Sequence, residues 1–228
     1  MFKFDWSYVI DYIPKILQAL PLTLLIVVSA SVSGLLLGAV WAIFRIERIP
    51  VLGRLSAVFV SFVRGTPIFI QMFVIYYGLP LALLAFGINI MRVEKLIFVL
   101  IAYGVNSGAF FSEIIRSSVQ SVPREQWDAA FSVGHSKLQT WLRIIIPQSI
   151  VIAIPSTGVM IIGLLEDTTL AFVMGIIEVV GKAQSLGKHT MHTLEAYFVV
   201  AVLFIMLSFL IERAFLHLAR KTRTQGAI

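Results

Sequence analysis

Long apolar runs alternate with short polar segments along the chain, and the spacing of the two predicts helices that cross a bilayer. The runs cover Ala19 to Phe44, Leu55 to about Phe86, Leu96 to Ile115, Ile144 to Leu165 and Leu194 to Ile211. About 20 consecutive apolar residues are needed per spanning helix, so the pattern predicts an all-α membrane protein with five spans. The second run is too long for one perpendicular helix and is broken by "RGTP", Arg64, Gly65, Thr66 and Pro67. Proline removes a backbone donor and biases the residue before it away from helix. A short peripheral helix should therefore end near Arg64, at the cytoplasmic boundary, where its side chain can reach headgroups or helix-end carbonyls. Pro67 should start the true span, with Gln71 one turn inward. In the first span Ala30, Gly34 and Gly38 recur at every fourth position, a spacing that lets a second helix approach closely. Pro147 stands at the mouth of the fourth span and Pro155 within it.

Composition agrees with that class. Of 228 residues, 59% are hydrophobic and only 13% charged, and the mean hydropathy is +0.94. A soluble domain is excluded on these values. The expected organisation is an amphipathic lead-in over residues 1–18, one membrane domain over 19–215 and a basic cytoplasmic tail over 216–228. The lead-in, "MFKFDWSYVIDYIPK", carries acids and lacks a small-residue cleavage site, unlike a removable signal peptide. With no cysteine there is no disulfide, thiolate metal site or cysteine nucleophile.

The net charge of +6 reflects loops rather than a nucleic-acid surface. Lysine and arginine gather in Arg45–Arg54, Arg116–Arg143 and Arg213–Arg223, and are sparser in the other three connecting segments. The positive-inside rule then puts the N-terminus outside and the three richer segments in the cytoplasm.

The segment "EQWDAAFSVGHSKLQTWLRIIIPQS", Glu125 to Ser149, is thereby cytoplasmic. Trp127, Ala130, Phe131, Leu138, Trp141 and Leu142 recur at helical steps. The expectation is two short amphipathic helices separated at Gly134, forming either a projecting knob or a loop lying in the headgroups. In the third span Glu113 and Arg116 are three apart and can pair on one face, a structural role. The same span carries Asn106. Near the end of the fourth span, "LLEDTTL" places Glu166 and Asp167 beside Thr168 and Thr169. Carboxylates there are expensive in hydrocarbon and by default mark a pathway.

Other chemistry is weak. "GIIEVVGKA", Gly175 to Ala183, approaches a phosphate loop, but five residues separate its glycines and Ala183 replaces the magnesium-binding hydroxyl. His189 and His192 lie three apart with Glu195 beyond, and without a third firm ligand they read as boundary polar residues. No metal and no cofactor is expected in this chain. An ion channel, a stand-alone secondary transporter or a membrane-embedded enzyme remains conceivable on the residues alone. Five spans do not halve into inverted repeats, and Glu113 with Arg116 is the best reactive pair on offer.

"DAAFSVGHSKLQTWLRIIIP", Asp128 to Pro147, resembles the loop signature of binding-protein-dependent ABC importer permeases: an acid, two alanines, a glycine after three further residues, and a proline after an aliphatic run. "SFVRGTPIFIQMFVIYYGLP", "SEIIRSSVQSVPREQWDAA" and "LLEDTTLAFVMGIIEV" are similar to segments of the polar amino acid uptake subfamily, so the resemblance spans about residues 20–215. It departs at Asp128, where the family usually has glutamate, at Glu166, where it has lysine, and at Val159, where relatives have asparagine.

The resemblance implies a permease subunit in the bacterial inner membrane. Two permease chains, copies or paralogues, would sit above two ATPase subunits that bind ATP and magnesium. An extracytoplasmic binding protein would deliver the substrate. Asp128, Ala129, Ala130, Gly134, Trp141 and Pro147 would belong to the coupling helix, between spans three and four, that the ATPases move. Gln71, Asn106, Glu166, Asp167, Thr168 and Thr169 are the candidate pathway residues, while Arg64, Gly65, Pro67, Glu113 and Arg116 are structural. Glu166 disfavours acidic substrates, leaving cystine or a basic amino acid plausible.

Overall fold

The computed structural model describes residues 4–225 and is helical throughout that range apart from connecting turns. The lead-in is helix α1 (Trp6–Leu17), whose first turn is capped by Asp5 accepting from the Ser7 N–H at 2.8 Å. Then come α2 (Leu20–Ile46) and α3 (Leu52–Gly65), followed by α4 (Ile68–Leu84). Next are α5 (Lys95–Gln120) and α6 (Arg124–Ser132), then α7 (Lys137–Met174). The last two are α8 (Val179–Thr190) and α9 (Thr193–Gln225). Among the described residues α2, α5, α7 and α9 are long and apolar enough to cross a bilayer, and the bent pair α3–α4 supplies a fifth crossing if it acts as one span.

The break in that pair is where the sequence put it. The two helices meet at 110° across Thr66 and Pro67, with Pro67 extended at the N-cap of α4. Two other prolines are accommodated differently. Pro80 and Pro147 each follow a widened π-type turn, Val74–Gly78 and Trp141–Ile145. A proline inside a helix lacks the N–H and presses its ring on the carbonyl four residues back, and a turn with an extra residue relieves that clash while the helix continues.

At the centre, α2 lies along α5. Gly34 and Gly38 sit so close to it that a Cβ on Gly34 would come within 2.5 Å of the Ser107 Cβ, and one on Gly38 within 2.8 Å of the Ser112 nitrogen. Contact of this kind replaces the hydrophobic drive that lipid cannot supply. Around the pair, Ile26, Met72, Tyr103 and Leu165 form the main core. A second cluster joins α1, α8 and α9 through Tyr12, Ile16, Val179 and Ala183.

Three expectations need correction. Only the first of the two short helices about Gly134 exists as such: the second is the N-terminal end of α7, running through the π turn into the fourth span without a break. The amphipathic pattern of Lys137–Arg143 is short, and a continuous apolar helix absorbs it. The segment between the fourth and fifth spans, read as a loop, contains α8. The fifth helix also runs on through Gln225, so the basic tail begins as helix; residues 226–228 lie outside the described residues.

Candidate functional site

The break before α4 leaves the last carbonyls of α3 without helical partners, as at any helix C-terminus. Gln71 answers them. Its Nε2 donates to the Val63 carbonyl at 2.7 Å and the Thr66 carbonyl at 2.9 Å, a task the sequence had given to Arg64. The remaining Oε1 accepts from Asn106 Nδ2 on α5 at 3.3 Å. Asn106 is thus fixed by a bond that spans two helices, and beside it opens a cavity of about 310 Å³ whose walls include Thr66, Phe69, Asn106, Phe110, Asp167 and Leu170. On α7 the Asp167 carbonyl accepts from the Tyr103 hydroxyl at 2.6 Å, which fixes the backbone while the carboxylate stays exposed.

Of the six pathway candidates, the fold brings Asn106 and Asp167 to one cavity and Gln71 to its edge. Thr168 is buried and donates to the Leu165 carbonyl at 2.7 Å, a helix back-bond. Glu166 is exposed and Thr169 half-buried. Among the described residues no ion pair joins Glu166 to Lys182 or Lys188. Glu166 instead continues an exposed stripe of α7 formed by Ile152, Ser156 and Val159, residues three, four and seven apart that share one helical face. Val159 is 72% exposed, and a Cβ on Gly163 would meet nothing within 4 Å.

The candidate coupling segment stands at the far end of α7. α6 is followed, after its C-cap Val133, by Gly134, whose φ of +84° is a left-handed conformation open to glycine. There His135 N–H donates to the Ala130 carbonyl at 3.0 Å, closing the helix end. α7 then starts in a reciprocal cap between Ser136 and Gln139. Trp127 and Trp141 meet edge to face at 5.2 Å, locking the two pieces together, and Ala130 is buried. Asp128 and Ala129 remain exposed, as do Phe131, Val133, Leu138 and Leu142. Pro147 opens the regular α-helical part of the span.

Glu113 pairs with Arg116 as expected, and also with Arg45 of α2 at 2.9 Å; Arg64 of α3 stands 4.0 Å away. One carboxylate therefore gathers three arginines from three helices. Arg64 also lies over the Phe110 ring, 5.4 Å from its centroid, and a Cβ on Gly65 would meet open space.

Near the opposite chain end, His192 Nδ1 lies 3.0 Å from Glu195 Oε1, which also accepts the Asp5 N–H at 3.0 Å. The histidine is committed to this tie between α1 and α9. The Ser7 N–H holds the Asp5 carboxyl below its ordinary range. In the phosphate-loop-like stretch, the carboxylate of Glu178 accepts the Val180 and Gly181 N–H groups at 2.9 and 2.8 Å. Those donors, which a phosphate would require, are already used. Burial pushes the Glu178 carboxyl up, while the same two N–H groups act the other way.

Residues 34–224 match the family model described as binding-protein-dependent transport system inner membrane component. The chain is 36% identical over 209 residues to the L-cystine transport system permease protein TcyL of Bacillus subtilis (strain 168), covering 92% of this chain and 87% of that one. It is 29% identical over 215 residues to the glutamine transport system permease protein GlnP of Escherichia coli (strain K12), covering 92% and 96%. A chain from the crystal structure of an amino acid ABC transporter with histidines superimposes with a TM-score of 0.85 at 25% identity, over 96% of this chain and 100% of that one.

Proposed function

The chain belongs to the family of binding-protein-dependent transport system inner membrane components, multi-pass proteins of the bacterial inner membrane, and from that premise we propose that it is the permease subunit of an ATP-driven importer of a polar amino acid. The observation that carries the reading is α7 itself. Its start bears the exposed apolar knob of Leu138 and Leu142 beside α6, and its other end puts Asp167 into a cavity with Asn106. A push on the knob and a change at the cavity are motions of one helix.

The division of labour follows. ATPase subunits would take the Phe131, Val133, Leu138 and Leu142 surface in a groove, with Asp128 at its rim, and would bind the ATP and magnesium. A second permease chain, a copy or a paralogue, would cover the open stripe of α7, and the pathway would run along that seam. An extracytoplasmic binding protein would load it. Asp167 can receive an α-ammonium group through charge-assisted hydrogen bonds, with the Asn106 amide orienting the rest. Glu166 would add negative charge on the seam, which favours cystine or a basic amino acid over an acidic one. Cystine and glutamine, named for two of the relatives, are both uncharged or zwitterionic, in keeping with a polar amino acid.

The test is uptake into vesicles by the chain assembled with its ATPase and binding protein. Asp167→Asn should lower uptake about tenfold or more, the loss of one charge-assisted contact, with nucleotide hydrolysis retained. Glu166→Lys should cut uptake of cationic substrates selectively. Unchanged rate and preference in both variants would remove these carboxylates from the pathway.

A further inference from the structure

A larger cleft, about 690 Å³, lies where the C-terminal turns of α2 and α5 meet α6 and the start of α7. Arg45, Arg48, Arg124 and Lys137 line it, with Glu47 and Asp128 as the acidic lining residues. Two of the cations are committed, Arg45 to Glu113 and Lys137 to Glu47. The other two are not. Arg48 and Arg124 are exposed and form no ion pair among the described residues. Arg48 is held in place by a turn in which its own φ is +51°, a conformation that costs energy outside glycine, and the next residue's N–H closes on the Phe44 carbonyl at 3.1 Å.

The rest of the wall is not that of a site for a free ion. The edge-to-face indoles of Trp127 and Trp141 form one side, and Val119 and Val122 supply apolar surface. Indoles concentrate at the headgroup level of a bilayer, and basic pockets between spanning helices on the cytoplasmic side suit anionic headgroups. The geometry points to a phosphate-ester site occupied by an anionic phospholipid of the cytoplasmic leaflet, with Arg48 and Arg124 on the phosphate and the indole wall against the glycerol and upper acyl carbons. The inference rests on the cytoplasmic placement of α6 argued above. Because the cleft joins the ends of α2 and α5 to the coupling segment, a lipid there ties the knob to the bundle.

The experiment uses the full chain, purified with its ATPase subunits into nanodiscs of phosphatidylcholine containing graded phosphatidylglycerol, with retained lipid counted by native mass spectrometry. Phosphatidylglycerol should be retained over phosphatidylcholine. Arg48→Gln and Arg124→Gln should each lower that enrichment about fivefold, and the pair about thirtyfold, the effect of about 1 kcal/mol per cation at a membrane surface. Soluble glycerol 3-phosphate should neither be retained nor compete. Equal retention of the two lipids by the unmodified chain, or undiminished enrichment in the double variant, would overturn the assignment. Capture of glycerol 3-phosphate as tightly as the lipid would make this a site for soluble phosphates, which also overturns it. Retention by the chain in nanodiscs alone but not by the chain with its ATPase would give the cleft to an ATPase side chain, with the same result. Uptake failing in every bilayer while enrichment persists would instead sink the permease reading and leave the lipid site standing.

Discussion

Glycine does opposite work in two of the spanning helices. In α2, Gly34 and Gly38 are pressed against α5 so closely that any Cβ would strike Ser107, Phe111 or the Ser112 backbone. In α7, Gly163 faces nothing within 4 Å, on a stripe where Val159 is 72% exposed. The first helix has found its neighbour within the chain. The second carries a carboxylate, Glu166, with Ile152, Ser156 and Val159 on a face that the described residues leave uncovered. Small residues in an apolar helix therefore indicate close approach only where a second helix is present, as at Gly158 of α7, where a Cβ would come within 2.9 Å of Phe215, and the open space at Gly163 marks a face not yet covered.

The sharpest way to break this contrast is to fill both. Gly38→Val should strain the α2–α5 contact by about 3 kcal/mol, the upper end for overpacking, seen as a large drop in the melting temperature of the purified chain and poor recovery from membranes. Gly163→Ala should leave melting unchanged or slightly raised, since alanine favours helix over glycine by up to about 1 kcal/mol. Similar losses in both would erase the distinction.

A smaller effect comes from the ionic knot on the tight side. Glu113→Gln leaves Arg45 and Arg116 without their carboxylate. A fully buried pair would lose about 3–5 kcal/mol, but these side chains are only partly buried, so about 2 kcal/mol is expected. The same measurement on Glu166→Gln, a carboxylate on the open face with no ion-pair partner among the described residues, should show no change.

The smallest effect concerns pH. Burial raises the Glu178 carboxyl above its ordinary value of 4.5, so the folded state holds that proton more tightly than the unfolded chain does. Its favourable contribution is complete below the ordinary glutamate range and is lost as pH rises through the elevated value. Melting followed from neutral to mildly acidic pH should show a small stabilising component that Glu178→Gln abolishes. A slope unchanged in the variant would assign the effect to another group.

What was legible in the chain follows the range of the forces involved. The apolar runs report burial in lipid residue by residue, and Pro67 reports a local backbone restriction, so the spans and the 110° break could both be read. Glu113 with Arg116 is a neighbour pair on one helix and was equally readable. Its bond to Arg45, 68 residues away in sequence, was not, because nothing local distinguishes that arginine from others in the same basic run. Gln71 was placed one turn into the span, but its use as a surrogate for the missing helical donors depends on the angle at which α3 arrives. α8 was hidden because its glycines and polar residues mimic a loop. The signal that could have found it is Glu178 just ahead of Val179, an acid placed to cap a helix start. Of the six pathway candidates only Asn106 and Asp167 line one cavity; the run Glu166 to Thr169 groups neighbours in sequence, but a helix turns such neighbours onto different faces.

The continuity of α7 across its π turn has a mechanical meaning. At 1.5 Å per residue, a helix of 38 residues is about 57 Å long, longer than the roughly 40–45 Å of a bilayer with its headgroups. Leu138 and Asp167 are mounted on this one shaft, some 40 Å apart. Had Lys137–Arg143 been a short helix separate from the span, a rotation applied there would pass through a second joint besides the one at Gly134. A rotation at the Leu138 end would reach Asp167 within one helix, softened where regular α-helical hydrogen bonding is interrupted: at Trp141–Ile145, at Pro147 and Pro155, and in the 3-10 turns of Thr168–Met174.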